Sequence, residues 1–332
     1  MIETATLGSD LKICRIINGM WQVSGGHGHI TPQKAISEMD LYHKAGLTSW
    51  DMADIYGPAE GFFGKFRQNL EKSGHDLSGL VGLTKFVPNP VPMNRTIVER
   101  AIKNSILHMN VSSLDLVQFH WWDYDDPRYF DALYHLTALR DEGKIKHIGL
   151  TNFDTIRMQM MLDKGFVIVS NQVQYSIIDQ RPQMEMEEFC KKHNIHLLAY
   201  GTLGGGLLSE RFLGSDDPTR IDLNTYSLQK YHNMIDAWGG WTLFQKLLHT
   251  LDKIAKKHHT SIPNVATRFI LDKPQVAGVI IGARLGIAQH IEQNKQTFSL
   301  NLDSDDYSAI QEITSQANDL FDVIGDCGSE YR

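Results

Sequence analysis

Short apolar runs alternate with amphipathic segments along the whole chain. "LKICRIINGM" (11–20) reads as a strand, and "TPQKAISEMDLYHKAG" (31–46) as a helix with Thr31 as N-cap, Pro32 in the first turn and Gly46 as the stop. "LTSWDM" (47–52) is the next strand, and a helix-like run follows "WDMADIYGPAEGFFG" (50–64). "GLVGLTKF" (79–86) is a third strand. The helix predicted over 94–109 places Ile97, Ala101, Ile102, Ser105, Ile106 and Met109 on one stripe. "LDLVQFH" (114–120) precedes a helix over 128–142. "KHIGLTNF" (146–153) precedes a helix over 154–165 with Asp154 as N-cap, and "VIVSNQVQY" (167–175) precedes one over 183–193. "IHLLAYGTL" (195–203) is the seventh strand. A long segment with helical patterns near 226–237, 241–258 and 263–272 comes before the eighth, "AGVIIGA" (277–283). "IAQHIEQN" (287–294) reads as a helix, a last one covers roughly 304–317, and the tail "GDCGSEYR" reads as loose.

Strands that alternate with helices form parallel βα units, and eight such strands close a barrel. The Gly-Ser-Asp turn in "ETATLGSDLKIC" predicts an extra N-terminal hairpin. A doubly wound open sheet is the alternative. The glycines of "GMWQVSGGHGH" do not have the G-x-G-x-x-G spacing of a dinucleotide fold. No composition shift cuts the chain, so 1–332 reads as a single domain.

Composition changes this picture little. The 332 residues are 42% hydrophobic and 21% charged, an ordinary globular balance. A net charge of −7 argues against nucleic acid or an anionic membrane as partner. Cys14, Cys190 and Cys327 form neither a metal pattern nor a disulfide framework. Together with the lack of a signal-like N-terminus or an apolar span, they suggest a cytoplasmic setting.

The chemistry collects where the strands end. Those positions hold Trp21, Asp51, Lys85, His120, Thr151 with Asn152, Gln172, Tyr200 and Arg284. In a closed βα barrel they share one face. If Asp51, Tyr56, Lys85 and His120 meet there, the lysine ammonium is expected to lower the phenol pKa, and the carboxylate to hold the lysine charged. The phenol then protonates a carbonyl oxygen, with His120 donating a hydrogen bond to the same oxygen. The protein supplies no hydride, so a cofactor must.

The blocks "DMADIYGPAE", "LTKF", "DLVQFHWW", "IGLTNF", "NQVQYS", "LLAYGTLGGGLL" and "IIGARLG" stand in order at successive strand ends. In them the chain resembles the aldo-keto reductases over nearly its whole length. The fuller blocks "NGMWQVSGGHG", "FHWWDY" and "SNQVQYSIIDQRP" resemble one subgroup of that family. The resemblance implies a (β/α)8 TIM barrel with an N-terminal β-hairpin and extra C-terminal helices. It also implies NAD(P)H-dependent reduction of an aldehyde or ketone.

By that resemblance Tyr56 is the general acid, Lys85 tunes it, Asp51 holds Lys85, and His120 orients the carbonyl. Trp21 and Asp51 also border the cofactor. Thr151, Asn152 and Gln172 match positions that bind the nicotinamide carboxamide, and Tyr200 matches the ring that stacks on the nicotinamide. Gly201, Thr202, Leu203, Gly205, Gly206 and Leu207 match the pyrophosphate segment. Ile281, Gly282, Ala283 and Arg284 match the 2′-phosphate loop, and His290 and Asn294 can reach the adenine. Where the family often has a small polar residue after the arginine, this chain has Leu285. Preference for NADPH over NADH therefore rests on Arg284 alone.

The substrate implied is a small carbonyl compound, apolar or aromatic, in a pocket of Trp21, Tyr56, His120 and Trp121, with Trp122 packed away. Asp54 reads as structural, and Glu60 as a helix-start charge. "HGH" (27–29) lacks a third metal ligand, and no metal is expected. The alternative function is an NADPH-binding sensor subunit of the kind that docks on a channel, with little turnover. The oligomeric state is left open.

Overall fold

Side-chain parity along the strands organises the molecule. Successive residues of a strand face opposite sides, and beyond the first 14 residues both sides are covered, so those strands are buried almost throughout. The computed structural model describes residues 1–25, 30–219 and 221–329. In chain order its elements are β1 (Thr4–Leu7), β2 (Leu11–Cys14), β3 (Ile16–Gly19), α1 (Pro32–Lys44), β4 (Ser49–Asp51), α2 (Ala59–Lys72) and β5 (Val81–Phe86). Then come α3 (Arg95–Met109), β6 (Leu114–His120), α4 (Tyr129–Asp141), β7 (Ile145–Thr151), α5 (Thr155–Asp163), β8 (Ser170–Gln174), α6 (Met186–His193) and β9 (His196–Tyr200). Three helices follow, α7 (Tyr226–Trp238), α8 (Gly240–Lys257) and α9 (Ile262–Leu271), before β10 (Val276–Gly282), α10 (Ile291–Gln296), α11 (Ser304–Thr314) and α12 (Leu320–Ile324).

β3 to β10 close a barrel in the order β10-β3-β4-β5-β6-β7-β8-β9, every pair parallel. The open-sheet alternative is thereby excluded. β1 and β2 form the expected antiparallel hairpin. Its Leu7, Leu11 and Ile13 pack on Ile17, Val81, Leu83, Leu116, Leu198 and Ala277, so the hairpin plugs the barrel at the N-terminal ends of the strands. A larger apolar layer lies between strands and helices.

Of the helix signals read from the sequence, the Asp154 cap and the Gly46 stop are found. The Asn94 and Asp154 side chains cap α3 and α5, accepting from the amides of Ile97 and Arg157. Gly46, just past α1, takes φ +86. Thr31 has the extended backbone of an N-cap, but its hydroxyl makes no capping bond.

Four expectations are corrected. "LKICRIINGM" is two strands, broken at Arg15. The Arg15 amide still bonds the hairpin at Glu3 O, while its carbonyl accepts from Val279 of β10. One straight strand cannot serve both partners. The predicted 183–193 helix starts only at Met186, after a 3₁₀ turn over Arg181–Gln183. The 287–294 helix also begins late, at Ile291, because a buried Leu285 ties down the preceding turn. The tail is fixed as far as it is described. The Asp326 carboxylate accepts from the Thr155 amide at 2.7 Å, and Cys327 is buried. No helix among the described residues is long and apolar enough to cross a membrane.

Candidate active site

The apolar residues lining the lower barrel fix which side chains line its mouth. Two residues beyond Leu83 is Lys85, two beyond Leu116 is Gln118, then His120, and two beyond Leu198 is Tyr200. Asp51 and Thr151 close their own strands in the same way, Gln172 lies two residues before the end of β8, and all but Tyr200 are buried. The C-terminal ends of the strands therefore carry a buried polar layer above an apolar one.

Its centre is an ion pair. Lys85 Nζ lies 2.5 Å from Asp51 Oδ2, with both side chains almost wholly buried, and donates a second bond to the Met52 carbonyl at 3.1 Å. The other carboxylate oxygen, Asp51 Oδ1, accepts from Gln118 Nε2 at 2.9 Å and Gln172 Nε2 at 2.8 Å. The Lys85 ammonium stands 4.9 Å from the centroid of the Tyr56 ring. Tyr56 also meets Trp21 edge-on, with ring centroids 5.0 Å apart. Asp51, Lys85, Tyr56 and Trp21 are thus brought together. His120 ends the neighbouring strand, one pleat beyond Gln118.

The electrostatics differ from the expectation for the phenol. Burial pushes the Tyr56 pKa up, and the Asp51 and Asp54 carboxylates push it further. The Lys85 pKa is itself lowered by burial, against the pull of Asp51. Tyr56 therefore holds its proton through the neutral range. Asp54 is not a passive loop acid. Its carboxylate oxygens accept from the Val87 amide at 3.2 and 3.3 Å, and burial pushes its pKa up to about 6. Glu60 faces out of the barrel, accepting from Thr84 Oγ1 at 2.6 Å and meeting His108 on α3.

The two tryptophans after β6 exchange the places expected of them. Trp121 is fully buried, donates to the Asp126 carbonyl and packs on Phe119, so it is not a pocket wall. Trp122 is 42% exposed and meets the His120 ring edge-on at 4.5 Å. Parity explains this. His120 faces inward, so the next residue faces the helix layer. Trp21, also 42% exposed, borders the other side of Tyr56.

Around this centre lie the groups expected to hold a cofactor. The Thr151 hydroxyl is buried with no hydrogen-bond partner among the described residues. Asn152 takes φ +59, and its side-chain oxygen accepts from the Tyr200 hydroxyl at 2.9 Å. The Gln172 amide nitrogen is committed to Asp51 and to Gln118 Oε1. In the segment after β9, Gly201, Gly204, Gly205 and Gly206 all have positive φ. A Cβ on Gly201 would meet the Tyr231 hydroxyl at 2.4 Å, so this glycine answers first to packing on α7. Thr202 donates its hydroxyl to the Tyr175 carbonyl and Leu207 is buried, so any ligand contact there falls to backbone. A segment of this kind, and an unsatisfied buried hydroxyl, fit a bound nucleotide.

At the far end Ile281 and Ala283 are buried, Gly282 faces the Gln22 side chain, and Arg284 is exposed. Leu285 is fully buried, so the apolar residue at this position is a core anchor. His290 precedes α10 and its carbonyl accepts from the Asn294 amide, which places both on the first turn. Two histidine–carboxylate groups occur among the described residues, Asp217–His232–Asp236 and His258–Asp303–Asp306, and neither includes a strand-end residue. The "HGH" stretch lies outside the described residues. Sequence reasoning missed Gln118, although its place two residues before His120 on one strand was a sufficient signal.

Residues 15–315 match the profile of the Aldo/keto reductase family. A stretch of 177 residues is 31% identical to the flagellar radial spoke protein 5 of Chlamydomonas reinhardtii, spanning 48% of this chain and 33% of that one. Over 334 residues the chain is 22% identical to the NADH-specific methylglyoxal reductase of Escherichia coli (strain K12), covering 92% and 96% of the two chains. Among solved structures, the fold is similar to that of a glycerol dehydrogenase from Gluconobacter oxydans, with a TM-score of 0.77 at 20% identity and 95% and 96% coverage.

Proposed function

The chain belongs to the aldo/keto reductase family, whose members are NAD(P)H-dependent oxidoreductases of small carbonyl compounds, and on that premise we propose that it reduces an aldehyde or ketone with Tyr56 as proton donor. The observation that carries this is the buried Lys85–Asp51 pair, with the Lys85 ammonium against the Tyr56 ring. The whole of 1–332 is read as one such catalytic domain.

The nicotinamide cofactor, when bound, supplies hydride to the carbonyl carbon. Thr151 and Asn152 would hold its carboxamide, with the carbonyl oxygen of Gln172, and Tyr200 would lie against its ring. The glycine-rich segment would meet its pyrophosphate. As the carbonyl carbon gains its new bond, the electron pair of the broken π bond goes to oxygen. Tyr56 gives that oxygen its proton, and His120 donates a hydrogen bond to it. Lys85 then stabilises the phenolate left behind, and Asp51 keeps Lys85 charged and in place. Because burial and two carboxylates hold the phenol protonated, the donor is loaded at neutral pH.

Arg284, exposed beside the anchored Leu285, supports NADPH over NADH. Trp21 and Trp122 flank the mouth and suit a flat apolar or aromatic carbonyl compound. The test is a spectrophotometric assay with NADPH or NADH and a panel of aldehydes, run on the wild type and Tyr56→Phe. Turnover by the wild type, lowered about 10²–10⁴-fold in the variant while cofactor still binds, is the expected result. Tight NADPH binding without turnover on any aldehyde would replace this reading with a sensor role.

A further inference from the structure

Gln118 takes no part in the chemistry just described, yet its side chain is fully buried in the centre of the reactive cluster. Burying a primary amide is costly unless its hydrogen bonds are met. Here both ends are engaged. Gln118 Nε2 donates to Asp51 Oδ1 at 2.9 Å, and Gln118 Oε1 accepts from Gln172 Nε2 at 2.6 Å. Gln172 Nε2 spends its second proton on Asp51 Oδ1 at 2.8 Å.

These contacts leave no freedom of orientation. A carboxylate only accepts, so each glutamine must turn its NH₂ toward Asp51. Gln118 must then present its carbonyl to Gln172. For Gln172, the atom these bonds do not use is Oε1. For Asp51, two amides occupy Oδ1, and Oδ2 is turned to Lys85. Asp51, Gln118 and Gln172 come from β4, β6 and β8, alternate strands of the barrel. Alternate strands contribute the side chains of a single barrel layer, so this layer is one closed polar ring segment where branched apolar residues would ordinarily sit.

We propose that Gln118 is a positioning residue that locks Asp51 and Gln172 in register, so that the proton-donating triad and the nicotinamide clamp are set by one amide. The inference rests on the carbonyl-reductase reading and deepens it. Gln118 touches neither reacting atom. It acts by directing one carboxylate oxygen to Lys85 and by turning the Gln172 carbonyl toward the carboxamide.

The experiment compares the full-length wild type with Gln118→Leu and the near-isosteric Gln118→Glu. The readouts are kcat and KM across pH, NADPH affinity by fluorescence titration, and thermal melts. Gln118→Leu is expected to lower kcat by about tenfold or more, to weaken NADPH binding severalfold, and to leave carbonyl KM within about twofold. In Gln118→Glu the new carboxyl faces Asp51. Two such groups share a proton rather than both ionise. While that proton stays, the new group still donates to Oδ1. Its activity is therefore expected to approach the wild type at the acid end and to fall by about tenfold as the shared proton leaves. The ionisable neighbours Asp51, Lys85, Tyr56, Asp54 and His120 are the same in both proteins, so the added limb belongs to the new carboxyl. A merely structural residue would not create it.

A Gln118→Glu loss that is flat across pH overturns the proposal, as does a folded Gln118→Leu with wild-type kcat and NADPH affinity. If Gln118→Leu does not fold, the pH profile of Gln118→Glu decides alone. An active wild type with unaffected variants removes this inference and leaves the reductase reading standing, whereas an inactive wild type removes both.

Discussion

Asp54 illustrates how one carboxylate can tie the site to stability. One side of the residue is open to solvent, but its carboxylate turns inward to the Val87 amide, and burial raises its pKa from 3.8 to about 6. Between those values the native state holds a proton that the unfolded chain has released. Stability is therefore lost as pH rises through this window. Asp54→Asn is expected to flatten that dependence and to be the more stable protein at neutral pH. Urea midpoints of both proteins at about pH 4.5 and about pH 7 check this. Arg284 gives a second residue-scale expectation. On the proposed reading its exposed guanidinium favours a 2′-phosphate, and a charge-assisted bond contributes about 1.5–3 kcal/mol. Arg284→Ala should raise KM for NADPH about tenfold or more with little change for NADH, measured as the ratio of kcat/KM for the two cofactors.

Single elements respond to packing. The segment after β10 carries a leucine where a polar residue would be expected beside a phosphate, and the structure buries it completely. Leu285→Ser is therefore expected to cost about 2 kcal/mol or more of stability and to give no gain in NADPH affinity. A denaturation curve and a cofactor titration on the same sample separate the two effects. α2 and α3 approach so closely at Gly64 that a Cβ there would lie 2.0 Å from the His108 carbonyl oxygen. Gly64→Ala must push the helices apart, and should lower stability by about 1–3 kcal/mol while leaving carbonyl KM unchanged in the protein that remains folded.

Across the whole molecule, stability and chemistry occupy opposite ends of one barrel. The hairpin closes the N-terminal end with Leu7, Leu11 and Ile13, and the polar layer sits at the C-terminal end. Such a division lets a core defect act on folding without touching the site. Leu7→Ala should cost about 2–5 kcal/mol, seen as a lower Tm. Its kcat well below that temperature is expected to match the wild type. A fall in kcat comparable with that of Tyr56→Phe would show that the two ends are coupled.

The alternation of short apolar runs with period-3.6 segments determined the eight strands, most of the helices and most of the residues at the strand ends, because these signals are local. Asp154 and Asn94 capped their helices for the same reason. What the chain could not reveal alone depended on partners distant in sequence. The break at Arg15 arises because two different strands, β1 and β10, claim its flanks. The phenol of Tyr56 is pushed upward because burial and the Asp51 and Asp54 carboxylates disfavour the phenolate, surroundings that only the folded barrel assembles. The exchange of Trp121 and Trp122 follows from which face of β6 looks into the barrel, and the burial of Leu285 from tertiary packing. Gln118 stood in plain view as a glutamine in a strand. Only closure of the barrel, which sets β4, β6 and β8 around one axis, brought its amide against a carboxylate 67 residues away in sequence.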